Sequence, residues 1–183
     1  MQPAVIDLPP DLTLVLETPR LRVIPLAVDD THDLYVVLND DRLYTFTGGH
    51  PPTEEELDTR LTRWRQRRSP DGREIWLNWV IRLVPAGEAI GYVQVTVREE
   101  HTAVIAYVVG ADYWRRGFAR EATGAVAAAL RTHLGVEELR AHIHPAHAAS
   151  QHVAEHLGMR RTGTVDAAGE EVWSTATHPA TAG

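Results

Sequence analysis

Three β-rich runs follow one another, Ile75 to Val84, Ala89 to Glu99 and Thr102 to Gly110, and an Ala-rich helical stretch comes directly after them. That succession leaves the chain few folds. Turns as short as Pro85-Ala86-Gly87 join antiparallel neighbours, so the runs predict a meander. Arg116 to Leu134 then predicts a long helix closed by Gly135. On the N-terminal side, alternation over Arg20-Leu21-Arg22-Val23-Ile24-Pro25-Leu26 predicts another strand. Asp29 to Asn39 predicts a helix with Leu34, Val37 and Leu38 inward. Thr53-Glu54-Glu55-Glu56 is a capping box ahead of a second amphipathic helix, with Leu57, Leu61 and Trp64 on one side and five arginines on the other. After Gly135 come a short strand, Leu139 to His144, a short helix, Ala148 to Leu157, and a hairpin of Met159 to Val165 and Glu170 to Thr175. The expected fold is a mixed α/β (α+β) sheet of about seven strands with about four helices.

No linker or repeat divides the chain, so one domain is expected over 12–175, with loose termini at 1–11 and 176–183. Composition removes several functions. Cysteine is absent, which excludes disulfides, thiolate nucleophiles and Cys-ligated zinc. Lysine is also absent, all 18 basic residues being arginine, which excludes Schiff-base catalysis. A net charge of -7 argues against a nucleic-acid partner. No apolar run approaches the roughly 20 residues of a membrane span. The first ten residues lack the basic stretch and apolar core of a secretory signal, so a cytoplasmic location is expected.

The most informative segment runs from Tyr107 to Ala122. There a buried strand enters a tight turn with Gly117 and Ala119, and a helix begins. Backbone N–H groups at a helix start have no internal partner and meet the positive end of the dipole, so they suit a pyrophosphate. Arg115, Arg116 and Arg120 add charge where the anion is expected, in a fork that fits phosphate oxygens. A surface turn with solvated arginines is the alternative.

Tyr-Trp-Arg-Arg-Gly-Phe-Ala-Arg-Glu-Ala at 113–122 resembles the acetyl-coenzyme A motif of the GNAT family of N-acetyltransferases, in the form used by those that acetylate ribosomal-protein N-termini. Trp114 stands where the wider family has Gln or Arg, while Gly117 and Ala119 keep the pattern. Three further pieces match in order: Glu17 to Arg22, Ala89 to Val93, and Ala149 to Met159. The resemblance implies a sheet splayed open beside the strand ending near Val109. Backbone groups of Tyr107, Val108 and Val109 would pair with the pantetheine arm as an added strand. Residues 115–120, Phe118 included, would hold the pyrophosphate of acetyl-CoA. His147 occupies a position where the family usually carries a cofactor-contacting Asn.

Acyl transfer to an amine needs a neutral nucleophile, stabilisation of the oxyanion and a proton for the departing thiolate. Direct attack in a ternary complex is expected. Ser150 matches a proton donor of the family, or else caps the short helix. For the base, Glu100 is the selected candidate within the Glu99-Glu100-His101 cluster, with Glu170 and Glu171 as alternatives. Backbone N–H near Tyr107 to Val109 is the expected oxyanion donor. Tyr44 and Phe46 are the candidate acceptor-binding pair, the tryptophans read as core, and Asp40 and Asp41 either receive an ammonium group or cap a helix. The acceptor itself, a small-molecule or peptide amine, stays open. Dimerisation is common among similar enzymes, and no exposed apolar stripe decides it here.

Two other classes compete. His152-Val153-Ala154-Glu155-His156 matches an inverted zinc-protease motif, with two histidines on one helical face. Only residues 157–183 follow, too few for the downstream helix that normally brings the third ligand, so no metal is expected. A fold that binds acyl-CoA without turnover, as a sensor or interaction module, is the third class.

Overall fold

The computed structural model describes residues 14–99 and 101–176, so most of both expected loose termini lies outside the described residues. Its elements follow the hydrophobic periods of the sequence. Strands β1 (Leu16–Glu17), β2 (Leu21–Pro25), β3 (Ile75–Leu83), β4 (Ala89–Glu99) and β5 (Thr102–Val109) pair antiparallel in chain order. Helices α1 (Asp30–Leu38) and α2 (Glu54–Arg65) stand between β2 and β3. Helix α3 (Phe118–Leu134) then crosses over to β6 (Glu138–Ile143), which runs parallel to β5. Helix α4 (Ala148–His156) leads into β7 (Arg160–Val165) and β8 (Glu171–Ser174), and β8 inserts between β6 and β7. Eight strands are thus described rather than about seven. The extra one is β1, whose two residues are too few to show a period.

The sheet is covered on both faces. Leu34, Leu38, Leu57 and Leu61 of α1 and α2 pack on Val80 and Ala89, while Phe118, Ala122, Val126 and Leu130 of α3 pack on the other face with Val93, Val95 and Ile105. Full burial of each leucine contributes about 1.5–3 kcal/mol. The capping box is present, with the Thr53 hydroxyl accepting from the Glu56 amide and the Glu56 carboxylate accepting from the Thr53 amide. Among the described residues, no helix is long and apolar enough to cross a membrane.

One irregularity positions the site. Strands β5 and β6 pair only through Thr102 with Glu138, Ala103 with Leu139 and Val104 with Arg140. Beyond that point β5 stays on β4 while β6 stays on β8, and the sheet opens between them. Gly91 keeps the upper part of β5 close to β4. It has a φ of 157°, and a Cβ there would collide with the Val108 carbonyl oxygen. Only glycine fits that approach.

Candidate active site

At the mouth of the opening stands the front of α3. Gly117 caps it with a left-handed φ of 80°, and no side chain takes the cap position. Gly117, Arg115, Arg116 and Arg120 are exposed, and a Cβ on Gly117 would touch only the Arg20 guanidinium, at 3.4 Å. Room therefore remains for an anion at the first amides of the helix. Arg115 also has a positive φ, 60°, a conformation that costs a non-glycine residue about 1–2 kcal/mol. Such strain persists where the surroundings fix it. Here Arg20 does so: Nη1 donates to the Arg116 carbonyl at 2.9 Å, and Nε donates to Glu121 at 2.7 Å. The Thr18 hydroxyl donates to the same carboxylate at 2.6 Å. Burial works against the Glu121 charge, yet these bonds outweigh it and hold the carboxyl below its ordinary range. The match over Glu17 to Arg22 thus has a mechanical reason, since it braces the turn from 100 residues away. Phe118 is buried beneath two guanidinium groups, those of Arg20 and Arg116, at 4.7 and 4.9 Å from its ring centre.

Deeper in, the opening between β5 and β6 forms a cavity of about 260 Å³. Gly110 donates to Ile90 of β4, and antiparallel ladders alternate, so Val108 also turns its backbone groups toward β4 while Tyr107 and Val109 turn theirs into the opening. The Val109 carbonyl already accepts from the Trp114 indole at 2.7 Å. Val108 itself packs its side chain against the α1–α2 core.

Ser150 lines the cavity and makes no capping bond; instead its Oγ accepts from the Tyr107 hydroxyl at 3.1 Å. Burial pushes the Tyr107 hydroxyl above the usual phenol range, against the opposing bond to Ser150, so it keeps its proton. His147, the residue before α4, stacks on Phe46 with ring centres 4.4 Å apart. Its buried Nδ1 has no hydrogen-bond partner. Burial, then the charge of nearby His144, hold that ring below the ordinary imidazole range. Across the cavity lie His142, His144 and Glu170.

Other expectations fall elsewhere. Glu100 lies outside the described residues, and His101 beside it bonds to Gly135, at the start of β5. Seven residue-to-residue steps of strand, about 23 Å, separate Thr102 from Val109. His101 itself stands just before Thr102, at the far end of β5 from Val109. Phe46 reaches the cavity, whereas the Tyr44 hydroxyl donates to the Leu38 carbonyl and Tyr44 does not line it. Asp40 caps a 3-10 turn and pairs with Arg42, so it acts as a cap. Trp76 and Trp79 are core, and Trp64 packs on Tyr92. His152, Glu155 and His156 are exposed on α4. Among the described residues the group with metal-ligand proximity is instead His142, Asp166 and Glu170, so the zinc motif does not assemble. Sequence reasoning missed the Tyr107 side chain and the pairing of His142 with Asp166. Sequence alternation could have found the first, since Tyr107 shares a face of β5 with Ile105 and Val109.

The structure thus combines an open helix front, a sheet splayed between β5 and β6, and a hydroxyl pair lining the cavity in that splay. The family model described as acetyltransferase (GNAT) domain matches residues 20–160, and the chain belongs to that family of N-acetyltransferases. A search of curated proteins found no match. Among solved structures, a GNAT-family acetyltransferase from Bacillus anthracis is 19% identical, with 88% of this chain and 97% of that one covered at a TM-score of 0.74. A candidate ribosomal-protein-serine acetyltransferase from Vibrio cholerae is also 19% identical, covering 90% and 97% at 0.72. The aminoglycoside enzyme AAC(6')-Ib, in complex with paromomycin and acetyl-coenzyme A, is 18% identical, covering 84% and 91% at 0.70. At these identities the likeness speaks to the fold.

Proposed function

We propose that this N-acetyltransferase moves an acetyl group from acetyl-CoA to a primary amine by direct attack in a ternary complex. The observation that carries the reading is the Tyr107–Ser150 hydroxyl pair on the wall of the cavity that opens beside β5. Tyr107 donates to Ser150, which leaves the serine hydrogen free for a departing thiolate. Arg115, Arg116 and Arg120, with the amides of Gly117, Phe118 and Ala119, would hold the pyrophosphate. The inward-facing amides of Tyr107 and Val109 would pair with the pantetheine arm and polarise the thioester oxygen, and the orphan His147 Nδ1 offers an acceptor for an N–H of the bound arm. Phe46 would border the acceptor. Catalysis on this reading belongs to one unit over 12–175.

For the acceptor we favour a peptide N-terminus of the ribosomal-protein kind, on the form of the 113–122 motif, over an aminoglycoside. An amine-panel assay that follows free thiol tests this, with an N-terminal Ser or Ala peptide beside aminoglycosides and polyamines. Ser150→Ala should lower kcat by about 10²-fold or more while acetyl-CoA still raises the melting temperature. Unchanged thiol release in that variant would remove Ser150 from the chemistry. Acetyl-CoA binding with no turnover on any amine would favour the sensor reading.

A further inference from the structure

Side chains alternate along β6. Leu139, Ala141 and Ile143 are buried toward α3 and α4, so His142 turns to the opposite face, the side of Phe46. Ser150 and Tyr107 belong to the α3–α4 side, yet all of these residues line one cavity. The opening therefore has a hydroxyl pair on one side and an imidazole on the other.

We infer that His142, oriented by Asp166, is the general base that takes the proton from the acceptor nitrogen, an inference that rests on the acetyltransferase reading above. His142 Nδ1 lies 2.6 Å from Asp166 Oδ2. A carboxylate only accepts, so the ring hydrogen is on Nδ1 and the lone pair is on Nε2, which has no hydrogen-bond partner among the described residues. Asp166 is itself fixed, because its Oδ1 accepts from the amides of Ala168 at 2.8 Å and Glu170 at 3.0 Å. The Glu170 amide, then the His142 ring, hold the Asp166 carboxyl below the ordinary range, so it stays charged.

The neighbouring imidazoles do not compete. His144 Nδ1 accepts from the Ala146 amide, which places its hydrogen on Nε2, and the buried Nδ1 of His147 has no carboxylate behind it. The Glu170 carboxylate lines the same cavity. His142, Asp166 and Glu170 also bring ligand atoms within 4.8 Å of one another, but both Asp166 oxygens are engaged already.

The neutral amine nitrogen bonds to the thioester carbon, leaving an oxyanion and a cationic nitrogen, and His142 Nε2 takes the proton from that nitrogen. The C–S bond breaks with its electron pair on sulfur. The thiolate takes the Ser150 proton, which Tyr107 and water replace, and the imidazolium releases its proton to water. Asp166 is a positioning residue.

The test uses the full chain, acetyl-CoA and an accepted amine. His142→Ala should lower kcat about 10²–10⁴-fold with acetyl-CoA KM and thermal shift retained, and added imidazole should restore part of the rate. His142→Asn should erase the acid limb of the wild-type kcat–pH profile. Groups facing that ring, Asp166, Glu170, His144 and His147, stay in place in this variant. Asp166→Asn keeps an oxygen for the turn amides but offers the ring a donor, so it should lower kcat with a normal melting temperature. The inference is overturned if His142→Ala retains kcat within about threefold, or if its loss is not restored by imidazole and the pH limb persists. Rate lost to a chelator and restored by zinc would make the three residues a ligand set and overturn it as well. Wild-type protein that binds acetyl-CoA but acetylates no amine would sink the acetyltransferase reading instead.

Discussion

The two ends of the opening are made in different ways. At the proposed donor end, the groups offered to an anion come from one contiguous stretch, 115–120, and are largely backbone amides; distant residues only brace them. At the acceptor end, Phe46, Tyr107, His142, Ser150 and Glu170 come from separate segments and act through side chains. A backbone site needs the right turn and tolerates varied side chains, whereas a side-chain site depends on strand register and hairpin placement. A charge reversal separates the two. Arg120→Glu puts an anion in the first turn of α3, where the dipole favours it by about 0.3–1 kcal/mol, so the free protein should melt no lower. Acetyl-CoA affinity should fall about 10–100-fold at low salt, with the deficit shrinking as salt is raised. Titration calorimetry beside a melting curve measures both. Equal affinity in the variant would show that the diphosphate sits elsewhere and would break the contrast.

That difference also explains what could be read in advance. The meander, the helices, the closing Gly135 and the glycine turn that opens α3 follow from local periods and local backbone needs, and sequence displays both. The opening of the sheet depends on β5 and β6 parting after Val104, and nothing within either strand marks that point. Acidic residues cluster at Glu99-Glu100 in the sequence, but a cluster in sequence says nothing of which strand end it shares with other groups, and Glu100 lies outside the described residues. His142 and Asp166 meet because β8 inserts between β6 and β7, a choice of strand order that hairpin signals do not encode.

The braces can be weighed separately from the amides. Glu121 gathers Thr18 and Arg20 and so links the first strands to the phosphate turn. Its carboxyl is depressed in the folded state. Its stabilising contribution is therefore present above the unfolded carboxyl's titration and is lost as pH falls through the lower folded value. Glu121→Gln should cost about 1–3 kcal/mol at neutral pH and flatten the acid side of the stability curve. Denaturant melts at several pH values check this. A neutral-pH cost with an unchanged acid slope would mean that the hydrogen bonds matter and the charge does not.

The smallest effect is expected where the two ends meet, at His147. Its orphaned Nδ1 is a standing cost in the free protein, offset by the stack on Phe46. The ring titrates below its ordinary value when folded, so between the two values the unfolded chain binds more protons than the native one. Stability must then fall as pH drops through the unfolded imidazole's range. His147→Asn removes that dependence, and it exchanges a stacked ring for an amide able to accept from the bound pantetheine arm. We expect stability at neutral pH to change by less than about 1 kcal/mol, because lost packing and the removed orphan oppose each other. The acid-side slope should shrink, and acetyl-CoA KM should improve at most a few-fold. If KM instead worsens about tenfold with the fold intact, the ring makes a contact to the donor that the amide cannot replace, and the donor end depends on side chains more than its contiguous backbone suggests.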